Sequence, residues 1–197
     1  MPWAGAQWES AISIFEYITV ATSLVLSLGL VRLLEGSLSA FSPSRTYPIH
    51  AVWVVLKFVN HFMYWWMLWG FRGGAVEWNF PLFLFSVLPA VVLYLQATLL
   101  VSSSPGEVAS WREHYYSIAP PFFALNVVYL LLSNSFPWVA ENYIPPTRTL
   151  ILVSLAAVAW IAAMLSRKPG VHLAVTVYAA VLNVLAMTIL IFAPPPD

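Results

Sequence analysis

The chain has no cysteine. That single absence removes a disulfide framework, a zinc–thiolate site and all thiol chemistry. Charge is almost as scarce: Lys, Arg, Asp and Glu together make up 8% of the residues, against about 25% in a soluble domain. The eight basic residues balance the eight acidic ones, so no basic patch for nucleic acid is expected. The sequence also lacks a Walker motif, a potassium-filter sequence, a rhomboid-type catalytic pair and the HxxxH and HExxH spacings of metal sites. No nucleophile–base pair or paired carboxylates stand at workable spacing, so an enzyme is not expected. The first eleven residues lack the basic region of a signal peptide, so the first helix is expected to be retained.

What fills the chain is hydrocarbon. Of 197 residues, 61% are hydrophobic, and the mean hydropathy is +0.82. Apolar runs of about 20 residues recur, each enough to span about 30 Å of hydrocarbon. The expected fold is all-α: one polytopic transmembrane domain over 1–197, with helices at 12–34, 48–71, 80–101, 121–136, 147–166 and 171–192. Residues 1–11 form a short tail with interfacial Trp3 and Trp8. Pro48 suits the first turn of its helix. Pro89 predicts a kink near Phe85. Ser104-Pro-Gly-Glu107 reads as a capping box, opening a short interfacial helix over 105–118 that Pro120-Pro121 ends. No internal repeat stands out; helices 2 and 5 differ completely.

The stretch from Pro48 to Phe71 carries His50, Lys57, Asn60, His61 and Tyr64. At 100° per residue, His50, Lys57, His61 and Tyr64 fall within an arc of roughly 60°. Helix 1 carries a matching stripe of Glu16, Thr19, Ser23 and Ser27 across roughly 80°. Polar groups are costly in hydrocarbon, so both stripes must face protein or water. If helices 1 and 2 are antiparallel neighbours, Thr19 sits level with Tyr64, Ser23 with His61, Ser27 with Lys57, and Glu35 near His50. Glu16, Ser23, Ser27, Lys57, Asn60, His61 and Tyr64 are the expected lining of a substrate or ion path. Interhelical hydrogen bonding without transport explains the same residues, and Glu16 alone can offset a helix dipole.

Asn126, Tyr129 and Ser133 share a face of helix 4, and His172, Thr176 and Asn183 share one of helix 6; these and Gln96 read first as packing contacts. His50, His114 and His172 all fall toward one end of the bundle, where Glu35 and Glu113 could join them in a metal or haem site. Solvated interfacial histidines are the simpler account, and no cofactor is expected. Ala159/Ala163 and Ala162/Ser166 allow close helix approach, within the chain or between copies. Helix 5 has no charged or amide side chain in its interior.

The loops after helices 1, 3 and 5 hold Arg32, Arg45, Arg112, Arg167 and Lys168, and the opposite side holds Arg72 and Arg148. The positive-inside rule then puts both termini outside. FEYITVATSLVLSLGLVRLLEG, WWMLWGF and REHYYSIAPPFFAL resemble stretches of a group of small six-helix bacterial inner-membrane proteins without known activity. The resemblance spans helices 1 to 4 and implies a bacterial inner membrane, with no functional residue to carry over. Three functions remain open. One is a small channel or proton-linked transporter using the helix 1/helix 2 seam. Another is a non-catalytic membrane subunit or scaffold. The third is a haem- or metal-binding membrane protein. The lipid bilayer is the implied partner, with a homo-oligomer or larger membrane complex open.

Overall fold

The computed structural model describes residues 13–40, 46–72, 76–102 and 108–192. They form six α-helices: α1 (Ile14–Ala40), α2 (Pro48–Trp69), α3 (Phe80–Leu100), α4 (Trp111–Glu141), α5 (Thr147–Leu165) and α6 (Pro169–Phe192). No strand occurs among the described residues. All but α2 are long and apolar enough to cross a bilayer, which fits a multi-pass integral membrane protein.

Local chemistry sets the helix ends. Before α1, the Ser13 amide donates to a Glu16 carboxylate oxygen at 2.7 Å, and the Glu16 amide donates to the Ser13 hydroxyl at 3.2 Å. This reciprocal pair satisfies two N–H groups that the first turn leaves without intrahelical partners. Glu16 is therefore a capping residue, exposed and turned to its own helix end. Asn79 caps α3 through the Leu82 amide at 3.0 Å, and Ser110 caps α4 through the Glu113 amide at 3.3 Å. Asn142, with φ of 53°, ends α4 in the left-handed conformation that asparagine tolerates.

The helices alternate in direction. Tyr17 meets Phe83 and Gly36 meets Val101, so α1 and α3 run parallel. His50 reaches Leu100 and Tyr64 reaches Ser86, so α2 runs against α3. Trp53 pairs with Thr176 and Asn60 with Asn183, so α6 runs with α2. Both ends of the described chain thus lie at one end of the bundle. α1 packs on α3, α3 on α4, α4 on α5 and α5 on α6, an arc of apolar helices. α2 lies against α1, α3 and α6, and more thinly against α4. It turns Val52, Val55, Phe62, Trp66 and Trp69 outward and Lys57, His61 and Tyr64 inward.

The main departure from expectation is α4. Among the described residues no separate interfacial helix stands before it: residues 111–141 are one continuous helix, which runs on past Pro137 and holds the pair Pro120 and Pro121 inside it. The expected capping box at 104–107 lies outside the described residues. Each proline costs about 3 kcal/mol inside a helix. Both project outward here, while Trp111, Tyr115, Ala119, Phe122, Phe123 and Asn126 make one buried stripe across them. Burying a large apolar side chain returns about 1.5–3 kcal/mol, so continuous packing of that stripe outweighs the two breaks. The other helix bounds fall within a few residues of expectation, except that α1 continues to Ala40.

Two glycines allow α1 its close approach. A β-carbon at Gly36 would overlap the Val101 side chain, and one at Gly29 would overlap the His61 ring. Valine has no distal freedom with which to retreat. On α5, Ala156 and Ala163 are buried and Ala159 packs on the same core, whereas Ala162 faces outward. Gly36→Ala is expected to destabilise the protein by about 1–3 kcal/mol through overpacking. Ala162→Leu should cost under about 0.5 kcal/mol. Reversible unfolding in mixed micelles, followed by circular dichroism, compares the two.

Candidate binding cavity around Lys57

Lys57 stands ten residues into α2 and is 2% exposed. Its Nζ donates to Asn126 Oδ1 of α4 at 2.6 Å and to Asn60 Oδ1 at 3.4 Å. Three rings complete its surroundings: Trp53 and Phe122 at 5.7 Å and Tyr129 at 5.5 Å from nitrogen to centroid. Ring faces are negative and attract a cation within about 6 Å. Among the described residues, no carboxylate forms an ion pair with Lys57; the one ion pair there is Arg32 with Glu35.

The amides around the amine form a directed network. Asn126 Nδ2 donates to the Phe122 carbonyl at 2.8 Å, which fixes its oxygen toward Lys57. Asn60 Nδ2 donates to Asn183 Oδ1 of α6, and Asn183 Nδ2 donates to the Ala179 carbonyl at 2.9 Å. Each amide thus turns its oxygen toward the next donor, and the chain ends on the amine. Lys57 spends two N–H bonds in this network. A protonated amine has a third to offer.

The amine lies on the wall of a cavity of about 380 Å³ between α2, α4 and α6, with Trp160 of α5 beside it. That volume lies within the range of about 300–1,000 Å³ usual for ligand pockets. Tyr129, Ser133, Asn134 and Asn183 line it with Met63, Met67, Leu182, Ala186 and Ile189. Trp160 is 9% exposed, and its indole N–H is buried with no hydrogen-bond partner. The lining thus combines a lysine, amides, hydroxyls and apolar side chains, and no acid.

Comparison of the chain with family models, with curated proteins and with solved structures gives no match. The site has to be read from its own geometry.

The expected α1/α2 seam divides in two. Lys57, Asn60 and Tyr64 line the cavity just described. His61, Ser23 and Ser27 line a second one of about 200 Å³ on the α1 side, with Leu26 and Leu30. Lys57 and His61 are one turn apart, so their α-carbons share a face. Their side chains diverge because that face points at the junction of two grooves. The lysine stem reaches α4, while the His61 ring folds back and donates Nδ1–H to the Lys57 carbonyl at 2.7 Å. Ser27 donates to the Ser23 carbonyl at 2.7 Å, and the Tyr64 hydroxyl donates to the Ser86 carbonyl of α3. Glu16 joins neither cavity. Glu35 pairs with Arg32 at 3.4 Å and does not meet His50.

The other three histidines do lie at one end, as expected, but they serve helix termini. Nε2 of His50 donates to the Leu100 carbonyl at 2.9 Å, that of His114 to Leu99 at 3.2 Å, and that of His172 to Ser166 at 2.8 Å. Leu99 and Leu100 close α3, and Ser166 caps α5. These carbonyls have no intrahelical partner. His172 also engages the Tyr115 hydroxyl through Nδ1 at 2.9 Å, so both its nitrogens are occupied. Among the described residues, no three His, Asp or Glu side chains cluster as metal ligands would. Beside this cluster, burial and a hydrogen bond with Tyr116 push the Tyr47 phenol up to about 12, so it stays neutral at physiological pH.

Sequence reasoning found the stripes on α4 and α6 but did not join them to Lys57. It missed Trp160 altogether, because an indole N–H does not register as polar in a hydropathy pattern. His50→Phe keeps a ring stacked on Trp111, 4.8 Å away, but strips the Leu100 carbonyl of its donor. It should destabilise the protein by about 1–3 kcal/mol. Unchanged unfolding in mixed micelles would count against the capping role.

Proposed function

We propose that the protein is a small membrane transporter whose substrate site is the cavity around Lys57. One observation carries this reading: a buried lysine, paired with no carboxylate among the described residues, lines a ligand-sized cavity at mid-depth in the bundle. Ionisable groups at that depth are costly, and they commonly mark transport pathways. The substrate is an anion, because the cavity offers donors and a cation and lacks acids. The earlier idea of one path along α1 and α2 is replaced by a site between α2, α4 and α6. By the positive-inside rule and the resemblance noted above, the membrane is a bacterial inner membrane, with both termini outside.

A second reading is a non-catalytic membrane subunit in which Lys57 is a structural lock. The mutual satisfaction of Lys57, Asn60, Asn126 and Asn183 favours it. Uptake of organic and inorganic monoanions into proteoliposomes separates the two. On the transport reading, wild type carries at least one anion above protein-free vesicles and Lys57→Met removes that flux. Ala162→Leu, on the outward face of α5 and outside the cavity, should stay within about twofold of wild type. On the lock reading no anion moves, and Lys57→Met changes only stability.

A further inference from the structure

Arg112 and Arg167 come from different elements and line one groove. Arg112 lies in the first turn of α4, and Arg167 in the turn between α5 and α6. The groove measures about 580 Å³, and Ser110, Glu113, Tyr116 and Ser117 complete it. It shares no lining residue with the cavity around Lys57. Both arginines are exposed. Among the described residues the one ion pair is Arg32 with Glu35, so no carboxylate there holds either guanidinium. Two arginines and one glutamate leave the groove a net formal charge of +1.

The membrane decides what lies beside this groove. α5 has 19 residues, and at 1.5 Å per residue it is about 28 Å long. That matches a hydrocarbon core of about 30 Å. Val158, Ile161 and Leu165 are exposed on one face of α5, within an arc of roughly 60°. Leu165, the last residue of the helix, is 77% exposed. Arg167 follows it by two residues, where acyl chains give way to head groups.

We propose that this groove binds the head group of an anionic phospholipid, its phosphate engaged by Arg112 and Arg167 and an acyl chain laid along Val158, Ile161 and Leu165. The planar guanidinium fork matches phosphate oxygens in pairs, and basic pockets between spans are suited to such heads. A singly charged phosphodiester, as in phosphatidylglycerol, cancels the net charge of the groove. A phosphocholine head brings its own cation and cancels nothing. Glu113 opposes the anion and moderates its hold. The inference needs only that the chain crosses a membrane; it does not depend on transport at Lys57.

The test is native mass spectrometry of the full chain released from detergent micelles, titrated with dioctanoyl phosphatidylglycerol or dioctanoyl phosphatidylcholine. One saturable phosphatidylglycerol should bind about tenfold more tightly than phosphatidylcholine. Arg112→Gln and Arg167→Gln should each weaken it by about fivefold, and the pair by about twentyfold. Glu113→Gln should tighten it by about twofold. Arg148→Gln, at the other end of α5, should leave it unchanged. Equal affinity for the two lipids overturns the proposal, as does an unchanged Kd in the double variant. So does an equal loss in Arg148→Gln, which would mean diffuse attraction to net charge. Displacement by millimolar inorganic phosphate would make the groove a soluble-anion site and overturn the assignment to lipid. Should the double variant fail to fold by circular dichroism, the head-group comparison and Glu113→Gln still decide: weaker binding in Glu113→Gln overturns the charge argument.

Discussion

An amine in the middle of a membrane bundle must be given partners, and much of this architecture follows from that demand. The ammonium of Lys57 cannot be left in hydrocarbon at acceptable cost. Two amide oxygens and three ring faces meet it. Those groups come from α2 itself and α4, and the amide chain runs on to α6. The lysine thereby ties together elements that are distant in sequence. Its partners are in turn fixed by main-chain carbonyls at Phe122 and Ala179. Such a network specifies one register between three helices, since a shift of one residue on any of them breaks the chain of donors and acceptors.

The polarity of α2 and the apolarity of the rest belong together. α2 is the one helix not apolar enough to be read as a span by composition, and it is the one that touches α1, α3, α4 and α6. Its polar residues are spent on its neighbours: His50 on α3, Trp53 on α6, Lys57 on α4, Tyr64 on α3. The surrounding helices present bare aliphatic faces, such as Leu24, Leu28 and Val31 on α1 and Val177, Val181 and Val184 on α6. Where a neighbouring helix end falls inside the bundle, a histidine supplies the missing donor. The same logic serves the lysine and one nitrogen of each of these histidines: a polar atom out of reach of water is given a partner within the protein.

Most of the fold was legible because each helix advertises itself locally. Apolar length gave the spans, and proline and capping residues gave their starts. Ser13-Ile-Phe-Glu16 is itself a capping box that the pattern of apolar residues overshadowed. The misreading of α4 has the opposite cause. Pro120-Pro121 is a strong local break, and only the long-range burial of Phe122, Phe123 and their neighbours overrides it. The candidate site was legible as parts. Lys57, the Asn126 stripe and the Asn183 stripe were each visible at helical spacing. What joins them is the order of helices in space, which periodicity along one chain does not encode. It assigns a face to a residue and leaves open which neighbour that face meets, so sequence proximity of α1 and α2 suggested a seam that the folded α2 shares among four partners.

The omission of an acid beside Lys57 has a further consequence for how the cavity works on the proposed reading. A buried ion pair made within the protein is permanent: its attraction offsets its desolvation, and nothing is left to bind a ligand. Amides and rings do less. They hold the amine in place and reduce the cost of its charge without cancelling it. When protonated, the amine of the empty cavity is positioned but unneutralised, and an anion entering it completes the pair. Binding energy is drawn from a cost that the fold already bears. The loaded site is neutral overall, which is the cheaper state in a medium of low dielectric. Replacing Asn126 or Asn60 by aspartate in evolution would have made a more strongly held lysine and a site with no demand for a substrate.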